Sequence, residues 1–204
     1  MDKRPLFITG IGTGIGKTVV SAVVTEKLKA DYWKPVQSGD LESSDTMKVK
    51  SLVSNKATVF HPEAYRLTQP YSPHKSAALD GITIDPKKII LPKTKNTLII
   101  EGAGGLMVPL NERYMMVDLV KQLNAEVILV SQFYLGSINH TLLSLLALKQ
   151  YQVPVKGIIF NGDMDDYTRD IILSYSKARL LGCLPLLNKI DKRAIIKLGE
   201  NLAL

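Results

Sequence analysis

The chain has 204 residues, 46% of them hydrophobic and 22% charged, with one cysteine and a formal net charge of +7. That length and balance predict one globular domain over residues 1–204, and the lone Cys183 excludes an internal disulfide, as expected of a cytoplasmic protein. The apolar runs are too short for a membrane span or a signal peptide, and the 26 Lys and Arg are dispersed without a nucleic-acid-binding signature, so neither membrane nor nucleic acid is an expected partner.

Strands and helices alternate along the chain. "PLFITG" (5–10) reads as a strand entering a glycine-rich turn, and "KTVVSAVVTEKLKA" (17–30) as the helix after it. "DYWKPVQSG" (31–39) reads as a short second strand closed by a turn, and "SSDTMKVKSLVS" (43–54) as a serine-capped helix. Residues 61–81 carry prolines and read as a loop, followed by a short basic helix near 85–91. "TLIIEGAGG" (97–105) is a buried strand running into a second glycine turn. Helices are expected at 116–124, 137–152 and 165–178, strands at 125–131, 153–162 and 182–187, and a last helix from about 191. Short apolar strands alternating with helices predict an α/β fold with a mostly parallel central sheet covered on both faces. Such sheets bind ligands at the carboxyl ends of their strands.

The first glycine turn stands at such an end. "GIGTGIGKT" (10–18) closes in Gly-Lys-Thr like a phosphate-binding loop, but the spacing G-x-x-x-x-G-K-[ST] asks for glycine at position 11, where Ile11 stands. The dinucleotide fingerprint G-x-G-x-x-G fails as well, landing on Ile15 or Lys17. Strand, loop, Gly-Lys-Thr and helix nevertheless agree on a variant phosphate loop, and hence on a P-loop NTPase-type three-layer fold. In it, backbone N–H groups and the helix dipole cradle phosphates. Lys17 then reaches the outer phosphates and Thr18 offers its hydroxyl to Mg²⁺. The plain alternative, a glycine-rich turn with a surface lysine, leaves that agreement unexplained.

Glu101 stands at the end of a second core strand, where a phosphate-transfer site needs a carboxylate near the metal. Asp45 stands near the start of a helix, and on physics alone reads as a helix-terminal charge. "NKID" (188–191) matches the guanine-reading motif of GTPases, yet no D-x-x-G occurs in the chain, so it reads as coincidence. His61, His74 and His140 lack metal-ligand spacing.

The segments "TGIGTGIGKT", "KPVQSG", "SSD", "SPH", "EGAGGLMVPL", "LGSINH" and "GIIFNG" occur in an order that resembles the dethiobiotin synthetase family, nearly end to end. That family's phosphate loop has five residues between its first glycine and Gly-Lys-Thr, as Gly10 to Gly16 has here. The chain departs from it at Ile11-Gly12, where a Thr-Asp pair is usual, and at Gly14, where an acidic residue is common. The resemblance implies ATP-dependent carboxylation of 7,8-diaminononanoate by CO₂ and closure of a cyclic urea. It implies catalytic roles for Lys17 and Lys34, and Mg²⁺ held by Thr18, Asp45 and Glu101. It implies ATP contacts from Gly14, Ile15, Gly16, Lys17, Thr18 and Val19, from Asp45, and from Glu101, Gly102, Ala103 and Gly104. The adenine end falls to Asn161 and to Leu184, Pro185 and Leu186, and substrate contacts to Thr13, Ser38 and Asn139. A homodimer is implied too, with Asn139 serving the neighbouring subunit's site; Ser137 or Asn139 as a helix cap is the compatible plain reading.

Most lysines lay their stem along the surface and keep the ammonium in water. Lys34 is expected to do so only in part, as a partly exposed stem whose replacement hardly alters thermal stability. A partitioning ATPase of the ParA or MinD kind is a rival reading, but its loop carries K-G-G-x-G-K-T, and Gly12 stands where that early lysine belongs.

Overall fold

A computed structural model describes residues 4–204. In chain order the first elements are β1 (Leu6–Gly10), α1 (Lys17–Leu28), β2 (Asp31–Trp33), β3 (Val36–Ser38), α2 (Asp45–Leu52), β4 (Phe60–His61), β5 (Tyr65–Leu67) and α3 (Pro73–Leu79). There follow β6 (Leu98–Glu101), β7 (Pro109–Asn111), β8 (Tyr114–Met115), α4 (Met116–Gln122), β9 (Glu126–Gln132) and α5 (Ser137–Gln150). The last are β10 (Val155–Asn161), α6 (Asp166–Ser176), β11 (Leu180–Leu184) and α7 (Lys192–Glu200).

Seven strands form one parallel sheet in the order β11-β10-β9-β1-β6-β2-β4. Side chains alternate across it with period two, so both faces must be apolar to be buried. Phe7, Ile100, Leu129 and Phe160 join one core with α4, α5 and α6. Leu6, Ile8, Ile99, Ile128 and Ile159 join the other with α1 and α7. All five residues of β1 are buried. β1 also marks the switch point of the sheet, with β6 on one side and β9 on the other, so its carboxyl end opens into the crevice where such sheets bind ligands. No helix among the described residues is long and apolar enough to cross a membrane.

Several boundaries differ from the sequence reading, each for a local reason. Segment 31–39 is two strands. Pro35 has no N–H to continue the ladder with β6, and its carbonyl instead accepts Ala64 N at 2.9 Å and Tyr65 N at 3.0 Å. The chain thereby leaves the main sheet, and β3 pairs with β5. Segment 61–81 is not a loop: it holds β5 and α3, whose first turn starts at Pro73, where the missing N–H costs nothing. Near 85–91 there is only a 3₁₀ turn, Pro86–Lys88, since Leu91 precedes Pro92 and is disfavoured in a helix. β6 ends at Glu101, where the expected glycine turn begins. The last strand begins at Leu180, paired with Ile158, and ends before Pro185. The β7–β8 hairpin had no counterpart in the sequence reading.

Candidate active site

The loop after β1 leads directly into α1. Gly16 caps α1 at φ 87 with no side-chain cap, and the first turn of α1 carries no acidic residue. Its free N–H groups and dipole therefore favour an anion. Gly16 is required twice over: its φ is left-handed, and a Cβ would stand 2.2 Å from Asn161 Nδ2. Asn161, at the end of β10, donates from Nδ2 to the Ile15 carbonyl at 3.0 Å and so holds the loop from behind. Lys17 Nζ donates to the Gly12 carbonyl at 2.7 Å, closing the loop on itself.

Beside it the ends of β2 and β6 and the start of α2 meet. Lys34 Nζ lies 2.8 Å from Asp45 Oδ2 and 3.3 Å from Glu101 Oε1. Thr18 Oγ1 donates to Glu101 Oε1 at 2.9 Å, and Tyr32 Oη donates to Glu101 Oε2 at 2.9 Å. Gln37 Oε1 accepts the Asp45 N–H at 3.1 Å, fixing the start of α2 against β3, while Gln37 Nε2 donates to the Gly39 carbonyl at 3.0 Å. Asp45 is thus both a helix-terminal charge and a wall of this site.

Lys34 is only 4% exposed, which corrects the expectation of a partly solvated stem. The cause is the break at Pro35: the chain turns inward there, and two carboxylates take the place of water. Burial disfavours its charge, but Glu101 and Asp45 outweigh burial and hold the ammonium's pKa above its ordinary value. For Asp45 burial works against ionisation too, and the Lys34 charge prevails, keeping the carboxyl below its usual range. Lys17 behaves differently. Burial dominates, Glu101 only partly offsets it, and its pKa falls to about 8. The Tyr32 phenol, buried against Glu101, is pushed well above its usual pKa and stays a donor.

Lys17, Lys34, Asp45 and Glu101 line one cavity of about 640 Å³. Thr13, Gly14, Gly16, Lys17 and Thr18 contribute from the loop, Lys34, Ser38 and Asp45 from the region after β2, and Glu101 to Gly104 from the second glycine turn. Ser38 Oγ is buried without a hydrogen-bond partner. The other expected contact residues stand apart from this cavity. The Ile15 and Leu184 side chains are buried in the core, and Val19 packs against it. Asn161 sits behind the loop, Pro185 and Leu186 are exposed after β11, and Asn139 is exposed on the first turn of α5. In "NKID", Asp191 caps α7 by accepting the Ala194 N–H at 3.0 Å. Among the described residues no group of three or more His, Cys, Asp or Glu gathers as a metal site; the oxygens beside Lys34 are two carboxylates and a hydroxyl. Sequence reasoning missed Tyr32, Gln37 and the wall Pro70–Pro73. Gln37 lay within "KPVQSG" and Ser72-Pro73 within "SPH", whereas nothing local marked Tyr32.

A family described as an AAA domain matches residues 4–194. The ATP-dependent dethiobiotin synthetase BioD of Christiangramia forsetii is 56% identical over 179 residues, 88% of this chain and 86% of that protein. That of Cytophaga hutchinsonii is 48% identical over 203 residues, 97% of this chain and 98% of its own. A crystal structure of a ParA family ATPase from Chlorobium tepidum TLS shares the architecture, with a TM-score of 0.60 over 98% of this chain and all of that one. Its 13% identity speaks for the fold alone. With a phosphate loop that lacks the early ParA lysine and relatives this similar along most of its length, the chain belongs to the ATP-dependent dethiobiotin synthetase family.

Proposed function

We propose that this protein converts 7,8-diaminononanoate, CO₂ and ATP into dethiobiotin, ADP and phosphate. The observation that carries the reading is Lys34, a buried ammonium beside a phosphate loop in a cavity with room for a second substrate. One substrate amine attacks the carbon of CO₂, loses a proton and becomes a carbamate. A carbamate oxygen attacks the γ-phosphorus of ATP, the bond to the bridging oxygen breaks and ADP leaves. The second amine then attacks the carbonyl carbon of this mixed anhydride. The C–O bond to phosphate breaks, phosphate departs, the nitrogen loses its proton, and the urea ring is closed.

Each step builds or moves negative charge, and Lys34 and Lys17 supply fixed positive charge where it develops. The loop N–H groups orient the phosphates. Thr13 and Ser38 face the diamine, and the unpartnered Ser38 hydroxyl fits a ligand hydrogen bond. Thr18, Asp45 and Glu101 offer hard oxygens side by side at the phosphate loop, a donor set that suits Mg²⁺. When bound, Mg²⁺ neutralises phosphate charge. Asn161 and residues 184–186 form the adenine end.

The chain acts as one domain, within a homodimer in the cytoplasm. Supporting the dimer, α5 turns Ile138, Leu143 and Leu146 outward, the last two 55% and 61% exposed, beside the fully exposed Leu135.

The deciding measurement is mass spectrometry of the product formed from the diamine, ATP, Mg²⁺ and ¹³C-bicarbonate. One labelled carbon in a cyclic urea is expected, with one ADP per ring. ATP consumption without label, or with a stable phosphorylated diamine, would overturn the reading.

A further inference from the structure

The lining of the cavity is of two kinds. Lys17, Lys34, Asp45 and Glu101 make it ionic, whereas Pro70, Tyr71, Pro73, Ala103 and Val108 make it apolar. Tyr71 is the one aromatic residue among the described lining and is 49% exposed. Its backbone is firmly held. The Tyr71 N–H donates to Ser76 Oγ at 3.3 Å, and that hydroxyl, on a fully buried side chain, donates to the Gln69 carbonyl at 2.8 Å. Pro70 is seated on Gly39, where an added Cβ would come within 2.7 Å of Pro70 Cα. The ring is held as well: Lys75 Nζ, from the first turn of α3, stands 3.8 Å from its centroid. A cation over one face steadies a ring that would otherwise swing freely at the surface. The ring offers a flat apolar surface on a residue that lines the cavity. An aromatic wall has few rotatable bonds to order on binding, so contact with it is efficient.

We infer that Tyr71 is a specificity-determining residue, whose ring packs on the polymethylene chain of the substrate while Lys75 acts as the positioning residue that holds the ring. The inference rests on the dethiobiotin-forming reading. Of the substrate's parts, the two amines and the phosphates belong with the ionic lining. Its run of five methylenes has no partner there and matches the apolar one.

The test is steady-state kinetics with 7,8-diaminononanoate and with 4,5-diaminohexanoate, which keeps both amines and the carboxylate but has three fewer methylenes. For Tyr71→Ala the KM for the nine-carbon diamine is expected to rise about tenfold, equal to about 1.4 kcal/mol, with kcat reduced less than twofold and the KM for ATP little changed. The rise should be smaller with the six-carbon diamine, because less chain lies on the ring. Tyr71→Phe should recover the chain-length preference, and Lys75→Met should raise the KM about twofold. An equal KM change for both diamines, or none, overturns the role of Tyr71. Failure of the unaltered protein to turn over either diamine would instead overturn the reading on which it rests.

Discussion

The Lys34 ammonium is held between Asp45 at 2.8 Å and Glu101 at 3.3 Å, with the Gly102 carbonyl at 3.5 Å. A buried charge removed from such a setting leaves its partners uncompensated, which costs more than the pair contributes when intact. Lys34→Gln is therefore expected to act twice. Turnover should fall roughly a hundredfold or more, since one preorganised donor to a developing anion is worth about 2.7–4 kcal/mol. Stability should fall by about 3 kcal/mol, the lower end for breaking a buried pair, which at roughly 2–4 °C per kcal/mol lowers the melting temperature by about 6–12 °C. Turnover measured well below that melting point, together with nucleotide affinity, separates the two effects. A variant with near-normal turnover would remove Lys34 from the chemistry. An unchanged melting temperature would mean that the carboxylates find other partners. The residue type and its motif were readable in "KPVQSG", but its burial was not: it depends on two carboxylates 11 and 67 positions further along the chain.

β2 has three residues and β4 only two, too few for ladder bonds alone to position an edge. Their starts are fastened by one carboxylate. Asp31 Oδ1 accepts the Val59 N–H at 3.0 Å and Asn96 Nδ2 at 3.2 Å, while Oδ2 accepts Thr94 Oγ1 at 2.6 Å and lies 3.4 Å from His61 Nε2. Burial opposes ionisation of Asp31, but these hydrogen bonds outweigh it and keep the folded carboxyl below its ordinary pKa. A depressed folded pKa stabilises the fold above the unfolded value of about 3.9. That stabilisation is lost as the pH falls through the lower, folded value. Asp31→Asn is expected to lower the melting temperature at pH 7 by roughly 4–8 °C, for about 2 kcal/mol lost from charge-assisted bonds. The difference from the unaltered protein should shrink as the pH is taken from 5 towards 3. Two parallel melting curves across that range would show that Asp31 has no part in the acid response. Sequence pattern located β2 through its apolar residues and did not mark β4. It could not see that a single aspartate joins the starts of both to the 94–97 turn.

The seven-stranded sheet brings the ends of β1, β2 and β6 to one side of the molecule, and the first turn of α5 remains outside the cavity they form. Asn139 is exposed on that turn. If it serves a neighbouring subunit, two inactive variants should repair each other. In a mixture of Lys17→Ala and Asn139→Ala, random exchange in a twofold dimer leaves one intact site in each mixed pair, giving about a quarter of the original activity. Subunit exchange followed by mass, alongside activity, checks this. Exchange without recovery would mean that each site is built within one chain.

By itself the sequence determined what depends on neighbours along the chain. Unbroken apolar runs in "PLFITG" and "EVILVS" required strands covered on both faces, and Gly16-Lys17-Thr18 required a loop that opens a helix. Both are local demands, of an apolar run and of a glycine turn before a helix, so they survive without knowledge of the fold. What only the tertiary structure decided are matters of which strand ends adjoin. The chain leaves the sheet at Pro35 because Ala64 and Tyr65 stand ready to take its carbonyl. Lys34 is buried because α2 starts and β6 ends beside it. Asn161 braces the phosphate loop from two strands away, and Tyr32, an ordinary core aromatic by pattern, aims its hydroxyl at Glu101. Each of these joins residues from 11 to 146 positions apart. Hydrogen bonds and charge at those separations exist only once the parallel sheet has closed the distance.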